Sequence, residues 1–296
     1  MISILIPAYR YNAFPLVQKL HAACERMQIP FEIICRDDGS DDPLKSENDK
    51  INELPHAHFS VNGRNLGRGP NINGIAEKAK YDWLVILDCD VWPVSNNFVG
   101  NYVRAIRPET EAIYGGIAYK PQRPDGGAML RWKYGRVRES IPVEKRAKNP
   151  YGSTLTSNFA IRKDVFLSIR FREDITAYGY EDLVFLHGLR DLKVEIAQID
   201  NPAYHLNLET SHDFLNKTRI SLQNLRRLYD DGLVGTSESR ILQAYATLKK
   251  WRLHRLVQSV FLFAAAAAER QLLSKNPRLM LFDCYKLGYF AALKST

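Results

Sequence analysis

Between residues 2 and 87, short apolar runs alternate with amphipathic stretches, and this alternation leaves few folds open. Ile2-Ser3-Ile4-Leu5-Ile6, Phe31-Glu32-Ile33-Ile34-Cys35, His58-Phe59-Ser60-Val61 and Trp83-Leu84-Val85-Ile86-Leu87 have the length and the β-branched or aromatic content of strands. Helical periodicity fills 13–27, 43–54 and 70–80 between them. A strand, helix, strand order predicts an α/β fold, a Rossmann-like and mostly parallel sheet flanked by helices on both faces. In such sheets ligands bind beyond the carboxyl ends of the strands. Pro7-Ala8-Tyr9-Arg10, Asp37-Asp38-Gly39-Ser40-Asp41 and Asp88-Cys89-Asp90 follow three of the four runs, so polar and acidic groups recur at one edge of the expected sheet.

Further strands are expected at 112–119, 155–161 and 194–199, and a helix at 181–191. The stretch 120–156 is rich in Arg, Lys, Pro and Gly with little periodicity, and reads as a long functional or mobile loop. From residue 212 the pattern is almost wholly helical, broken near 232–235 and at Pro277. The expected organisation is two halves of one domain, 1–97 and 98–210, followed by a basic helical C-terminal extension at 211–296. At 256–268 the chain is apolar, but too short for the roughly 20 residues of a spanning helix.

Charge is unevenly placed. Through Thr210 basic and acidic residues balance at 27 each, whereas 211–296 carries 14 Lys and Arg against 6 Asp and Glu, so the whole net charge of +8 lies there. An anionic partner, nucleic acid or membrane, would fit that asymmetry. Lys249, Lys250, Arg252 and Arg255 interleave with Leu248, Trp251, Leu253 and Leu256, which suits an interfacial helix and equally a helix packed on the preceding domain. Cys24, Cys35, Cys89 and Cys284 are widely spaced, which suggests neither a disulfide framework nor a zinc knuckle. The start lacks a basic n-region and Pro7 ends its apolar run, so a chain beginning at Met1 and staying in the cytoplasm is expected.

Asp88-Cys89-Asp90 places two carboxylates at the end of an apolar strand. Like charges so close are costly without a cation, and hard oxygen ligands favour Mg²⁺ or Mn²⁺. The competing reading is a helix N-cap at Asp90, ahead of Val91-Trp92-Pro93. Glu181 and Asp182 likewise could serve only to place negative charge at the start of a helix.

The ordered set Ile4-Leu5-Ile6-Pro7-Ala8-Tyr9, Asp37-Asp38-Gly39-Ser40-Asp41, Asn65-Leu66-Gly67-Arg68-Gly69-Pro70-Asn71 and Leu87-Asp88-Cys89-Asp90 resembles glycosyltransferase family 2, whose catalytic domain has the GT-A fold. Downstream, Ser157-Asn158-Phe159-Ala160-Ile161-Arg162 and Tyr178-Gly179-Tyr180-Glu181-Asp182-Leu183 look like the Gly-x-Glu-Asp element of that family and of the galactosyltransferase C-terminal region. The resemblance covers about 1–210 and implies a nucleotide-sugar-binding half at 1–97 and an acceptor-binding half of the same domain at 98–210. It implies donor-binding roles for Pro7, Tyr9, Arg10, Asp38, Asn65, Gly67, Arg68 and Asp88, and a metal, Mn²⁺ or Mg²⁺, at Asp88 and Asp90. It also implies Asp182 as general base, with Glu181 beside it holding the acceptor. His205, just beyond the last expected strand, stands where related enzymes often supply a histidine to the metal. Glu209 and Lys217 follow closely and could line the diphosphate side.

Such a set implies an inverting, metal-dependent hexosyltransferase. It would move a sugar from a nucleoside-diphosphate donor, UDP-linked by expectation, to a saccharide or lipid-linked saccharide in surface polysaccharide or glycan synthesis. A nucleotidyltransferase would want a Gly-rich phosphate loop after the first strand, which Pro7-Ala8-Tyr9-Arg10 is not. A nucleic-acid-binding protein would explain the basic tail but leave the four carboxylates without use. No nucleic acid partner is therefore expected, and the tail suggests peripheral attachment at the inner face of an anionic membrane.

Overall fold

The computed structural model describes residues 1–41, 44–125, 127–175 and 177–294, with every side chain among them except that of Lys45. The chain opens with β1 (Ile2–Ala8), α1 (Phe14–Met27), β2 (Phe31–Asp37), α2 (Leu44–Asp49), β3 (Ala57–Val61), α3 (Arg68–Lys78) and β4 (Trp83–Leu87). It continues through β5 (Val91–Pro93), α4 (Phe98–Ala105), β6 (Ala112–Tyr114), β7 (Ile117–Ala118), α5 (Met129–Tyr134), α6 (Val143–Arg146) and α7 (Pro150–Ser153). Then come β8 (Asn158–Arg162), α8 (Lys163–Ile169), α9 (Glu181–Asp191), β9 (Ile196–Gln198) and β10 (Ala203–His205), and the chain ends in α10 (Ser211–Asp230), α11 (Arg240–Lys250), α12 (His254–Leu272) and α13 (Leu279–Ala292).

Two compact units result. The first comprises Met1–Tyr119, Glu139–Thr176 and Phe185–Asn207. Its main sheet has the order β3-β2-β1-β4-β8-β6-β9. β3, β2, β1 and β4 are mutually parallel, β8 runs against both β4 and β6, and β9 is parallel to β6. Every residue of β1 and β4 is buried, which is why these runs are apolar on both faces rather than alternating. Ser3, the polar exception in β1, donates to Glu32 Oε1 at 2.6 Å. One core layer joins Leu5, Ile34 and Ile86 of the sheet to Ile72 and Ile75 of α3 and to Phe166, Phe171 and Phe185. A second sheet, β5-β10-β7, has only two or three residues per strand.

The second unit comprises Lys120–Arg138, Ala177–Val184 and Leu208–Thr296. Leu130, Leu215, Leu272, Phe282 and Tyr285 form its core. The Thr210 hydroxyl accepts from Asp213 N at 3.1 Å and so caps α10.

Several details depart from the sequence reading. The expected strand 112–119 is two strands, β6 and β7, parted at Gly115-Gly116, where Gly116 has φ +98°. The stretch 120–156 is not an open loop: α5, α6 and α7 lie in it, and Leu130, Arg131 and Trp132 are buried. The expected helix 43–54 is α2 followed by a 3₁₀ turn at Lys50–Glu53, its first residue lying outside the described ones. Helical structure after residue 212 breaks once more than expected, at Trp251–Leu253, where Arg252 takes φ +57°. The compact units also differ from the linear division at 97 and 210, because the C-terminal helices pack with two segments from the middle of the chain.

Candidate active site

In the first unit, the turns after β1 and β2 and the approach to α3 are tied together by buried carboxylates. Asp37 accepts from Ser40 N at 2.6 Å and from Ser40 Oγ at 2.7 Å, and Ser40 Oγ accepts from Arg10 N at 2.7 Å. That last bond holds Arg10 in its left-handed conformation, φ 49°, and its guanidinium lies 5.3 Å from the centre of the exposed Tyr9 ring. Asp38 accepts from Asn62 Nδ2 at 2.9 Å, Leu66 N at 3.0 Å and Gly67 N at 2.8 Å. Both oxygens of this expected donor-binding residue thus serve the 62–67 loop. Gly39, at φ +73°, lies so near that loop that a Cβ would stand 2.5 Å from the Arg64 carbonyl carbon. Asn65 Oδ1 accepts from Gly67 N at 3.0 Å, and Gly67, φ +94°, leads into α3. Pro7 is buried within β1, in register with Arg36.

Arg68, the first residue of α3, reaches the end of β4. Its Nε and Nη2 lie 2.8 and 2.7 Å from Asp88 Oδ1, and its Nη1 donates to Thr156 Oγ1 at 2.9 Å. A guanidinium therefore supplies the cation that Asp88 needs. Asp90 turns elsewhere: its Oδ2 is 3.4 Å from His205 Nε2. The small sheet makes this meeting, since His205 of β10 pairs in register with Val91 of β5 and Leu206 N donates to Asp90 O at 2.9 Å. Asp90 precedes a strand, so the helix N-cap reading fails there. The His205 ring stacks on Tyr119 with centroids 5.7 Å apart. Burial, aided by the nearby Asp90 charge, pushes the Tyr11 phenol above its ordinary range. The three expected metal ligands are thus a pair and a separate residue: among the described residues no three His, Cys, Asp or Glu side chains gather into a cluster.

Beneath β7 and β10 lies a polar layer that the sequence reading does not reach. Asn158 Nδ2 donates to Gly116 O at 2.7 Å and Asn201 O at 3.0 Å, while its Oδ1 accepts from Tyr102 OH at 2.7 Å. Asn201 Nδ2 donates to Phe98 O at 3.0 Å. Both amides are fully buried. They tie the β6–β7 turn to the chain entering β10, the strand that ends in His205. Two hollows of about 560 and 550 Å³ are lined by none of Asp38, Arg68, Asp88, Asp90 and His205: one is lined by Asp82, Trp83 and Arg162, the other by Lys19, Arg26 and Phe98.

In the second unit, Glu181 and Asp182 occupy the first turn of α9, where negative charge meets the helix dipole. The loop before them is shaped by α10. Asn224 Nδ2 donates to Gly179 O at 2.5 Å and Ala177 O at 3.3 Å. Gly179, φ +90°, sits where a Cβ would stand 2.5 Å from the Ser221 Cβ. Tyr180 is also left-handed, φ 70°, and burial pushes its phenol well up. Lys217 Nζ lies 2.9 Å from Glu209 Oε2 and 5.4 Å from the Tyr178 ring centre, so the two charges expected near a diphosphate pair with each other. No spacing rule announces Asn224 or Ser221, whose partners are backbone or a glycine some 45 residues away.

Comparison with known proteins agrees with this architecture. An uncharacterized glycosyltransferase of Mycoplasma genitalium is 24% identical over 240 residues, 75% of this chain and 71% of that protein. A mannosyltransferase from Pyrobaculum calidifontis, in complex with GDP-Man and Mn²⁺, superposes with a TM-score of 0.59 at 14% identity, covering 98% of this chain and 85% of that one. Glucosyl-3-phosphoglycerate synthase from Mycobacterium tuberculosis, in complex with Mn²⁺, UDP and glucosyl-3-phosphoglycerate, gives 0.51 at 20% identity over 77% and 78%. A 1–349 fragment of S. aureus TarS with UDP-GlcNAc gives 0.52 at 16% identity over 98% and 90%. The sheet order and its helical flanks are those of the GT-A fold that these solved structures share. Residues 3–169, more than half of the chain, match the model of glycosyl transferase family 2, and the protein belongs to that family.

Proposed function

We propose that the protein is an inverting, metal-dependent hexosyltransferase using a nucleoside-diphosphate sugar, UDP-linked in this reading, with a saccharide or lipid-linked saccharide acceptor in surface polysaccharide or glycan synthesis. The observation that carries the donor side is the pairing of Arg68 with Asp88 and of Asp90 with His205 beyond the carboxyl end of β4. In this reading 1–97 carries the donor and 98–210 contributes the acceptor side. Structures of fold relatives with UDP, UDP-GlcNAc or GDP-Man, some with Mn²⁺ or Mg²⁺, support the class of donor.

A carboxylate beside an imidazole is a donor set that suits Mn²⁺, and a carboxylate alone suits Mg²⁺. Asp90 and His205 would hold such an ion, with Asp88 nearest to the ribose, and the ion would supply Lewis-acid stabilisation to the departing diphosphate. Arg68 brings a fixed positive charge to the same edge. Tyr9, Arg10 and the 62–67 loop, shaped by Asp38, would frame the nucleotide, with Pro7, Asn65 and Gly67 fixing the backbone around it. On the acceptor, Asp182 takes the hydroxyl proton as the oxygen bonds to the anomeric carbon and the bond to the β-phosphate oxygen breaks. One such displacement inverts the anomeric centre, and Glu181 holds the acceptor beside it. The basic segment 211–296 would attach the enzyme to an anionic membrane surface at the inner face, where a lipid-linked acceptor resides.

The test is a pair of variants. Asp90→Ala is expected to lose metal-dependent binding of a UDP-sugar in calorimetry, whereas Asp182→Asn is expected to retain it while turnover falls by about 10²–10⁴. Transfer at the wild-type rate by Asp182→Asn would remove it as the base, and unchanged donor affinity in Asp90→Ala would remove the metal assignment.

A further inference from the structure

Helix α12 has two unlike faces. On one, Phe261 lies 5.3 Å from the Tyr285 ring centre, and Leu272 is fully buried in the core of the second unit. Gly288 of α13 is so close that a Cβ there would meet the Phe261 ring at 2.7 Å. On the other, Leu256 is 61% exposed, Val260 57% and Phe263 93%, and Ala267 follows in the same line. The spacings of four, three and four put these residues in one stripe along the helix. Leu262 flanks the stripe, and Leu253 and Trp251, 68% exposed, extend the apolar surface into the corner made by the left-handed Arg252. A contiguous apolar surface of this kind on a folded chain marks a binding face.

Charge chooses the occupant. From Ser239 to Phe282 there are eight Lys and Arg and one carboxylate, Glu269. Glu269 is engaged by Arg219 at 2.6 Å and by Tyr285 OH at 2.9 Å. Lys249, Lys250, Arg252 and Arg255, all exposed, surround the corner, and Arg270 stands at the other end of the stripe. Two copies joined along this face would set positive against positive in either orientation, with no acidic residue to relieve it. A nucleic acid would satisfy the charge but leave Phe263, Val260 and Leu256 without an apolar partner. A surface that is anionic at its headgroups and apolar just below satisfies both.

We infer that the Trp251 corner and the Leu256–Val260–Phe263 stripe insert into the headgroup region of an anionic bilayer, with the surrounding Lys and Arg side chains on lipid phosphates. Among the described residues no helix is long and apolar enough to cross a membrane, so the helix lies in the plane of the surface. This specifies the membrane contact proposed above, and rests on that reading only for the presence of a lipid-linked acceptor.

Co-sedimentation of the full chain with phosphatidylcholine vesicles, with and without phosphatidylglycerol, at low and high salt, tests it. Wild-type protein is expected to partition onto the anionic vesicles and to be released by salt. Leu256→Ser/Phe263→Ser is expected to weaken partitioning by about tenfold or more, and Lys250→Glu/Arg255→Glu by a similar factor. Quenching of Trp251 fluorescence by brominated lipid, compared with Trp251→Phe, reports insertion directly. Both double variants are expected to transfer sugar to a soluble acceptor at the wild-type rate, whereas Asp182→Asn is expected to bind vesicles fully, so failure of the catalytic reading and failure of this one are told apart. Equal recovery on both lipids, recovery on neither, a dimer abolished by Leu256→Ser/Phe263→Ser, or salt-sensitive binding to a short DNA duplex in place of vesicles would each overturn the inference.

Discussion

Helices α3 and α12 depart from the inside-apolar rule in opposite directions. Asn71 and Asn73 of α3 are buried among polar partners: Asn71 Nδ2 donates to Arg36 O at 3.0 Å, and Asn73 binds the Phe171 backbone through both ends of its amide, at 2.8 and 3.0 Å. Helix α12 instead turns Leu256, Val260 and Phe263 outward. Buried polar groups and exposed apolar patches are the two informative exceptions to ordinary burial. In the first unit the exception is inward and organises loops around Arg68, Asp88 and Asp90. In the second it is outward and calls for something beyond the chain. One helix spends polarity on internal order, the other keeps apolar surface for a partner.

The contrast can be pressed hardest with alkali. In the first unit burial pushes the Cys24 thiol up to about 12 and the Cys35 thiol higher still, whereas Cys284 in the second unit is exposed. Below the ordinary thiol value of 9.0 both folded and unfolded chains hold these protons and stability is unaffected. Above it only the unfolded chain releases them, so stability falls as pH rises, by up to about 2 kcal/mol for each thiol at about pH 10.5. Urea midpoints at about pH 8 and pH 10.5 are expected to show this loss, to show less of it in Cys24→Ala/Cys35→Ala, and to be unchanged by Cys284→Ala. A smaller effect is expected from Asn158→Leu, which keeps the volume but removes the side-chain donor to the Asn201 carbonyl and leaves the Gly116 carbonyl with Ala203 N alone; denaturant unfolding should show a loss of about 2 kcal/mol. The smallest belongs to the outward exception. Leu256→Ser/Phe263→Ser should leave the same midpoint within about 0.5 kcal/mol, and a larger loss would mean that α12 hides these side chains against the chain itself.

The parts of the fold that the sequence announces are those whose residues face apolar matter on all sides. β1, β2 and β4 stand out because buried parallel strands need unbroken apolar runs. β5 and β10 do not, because Val91-Trp92-Pro93 and Ala203-Tyr204-His205 are too short to show a period and find each other across about 110 residues. Helix α5 is masked by Arg131, a basic residue that is nonetheless buried, its guanidinium 5.2 Å from the Phe214 ring centre. Among the candidate residues, Asp88, Asp90 and His205 of the first unit and Glu181 and Asp182 of the second stand out in the sequence because they flank strands or begin a helix in a recognisable order. The pairing of Arg68 with Asp88 is not, since nothing in either motif points to the other. The hydrogen-bonding duties of Asp37, Asn158, Asn201 and Asn224 are silent for a further reason: each holds backbone groups or a neighbouring side chain, and such partners leave no trace in spacing.

The second unit is assembled from three stretches of chain, and α10 of the last stretch shapes the Gly179 loop of the middle one. The tail is therefore not an interchangeable cassette. A graft made by cutting near residue 208 and joining the helices of another transferase would present a foreign α10 to the native loop, with no assurance of an amide at position 224 or a small side chain at 221. A working exchange of the tail would have to carry 120–138 and 177–184 along with it, so the end of this chain is bound to two stretches in the interior of its sequence.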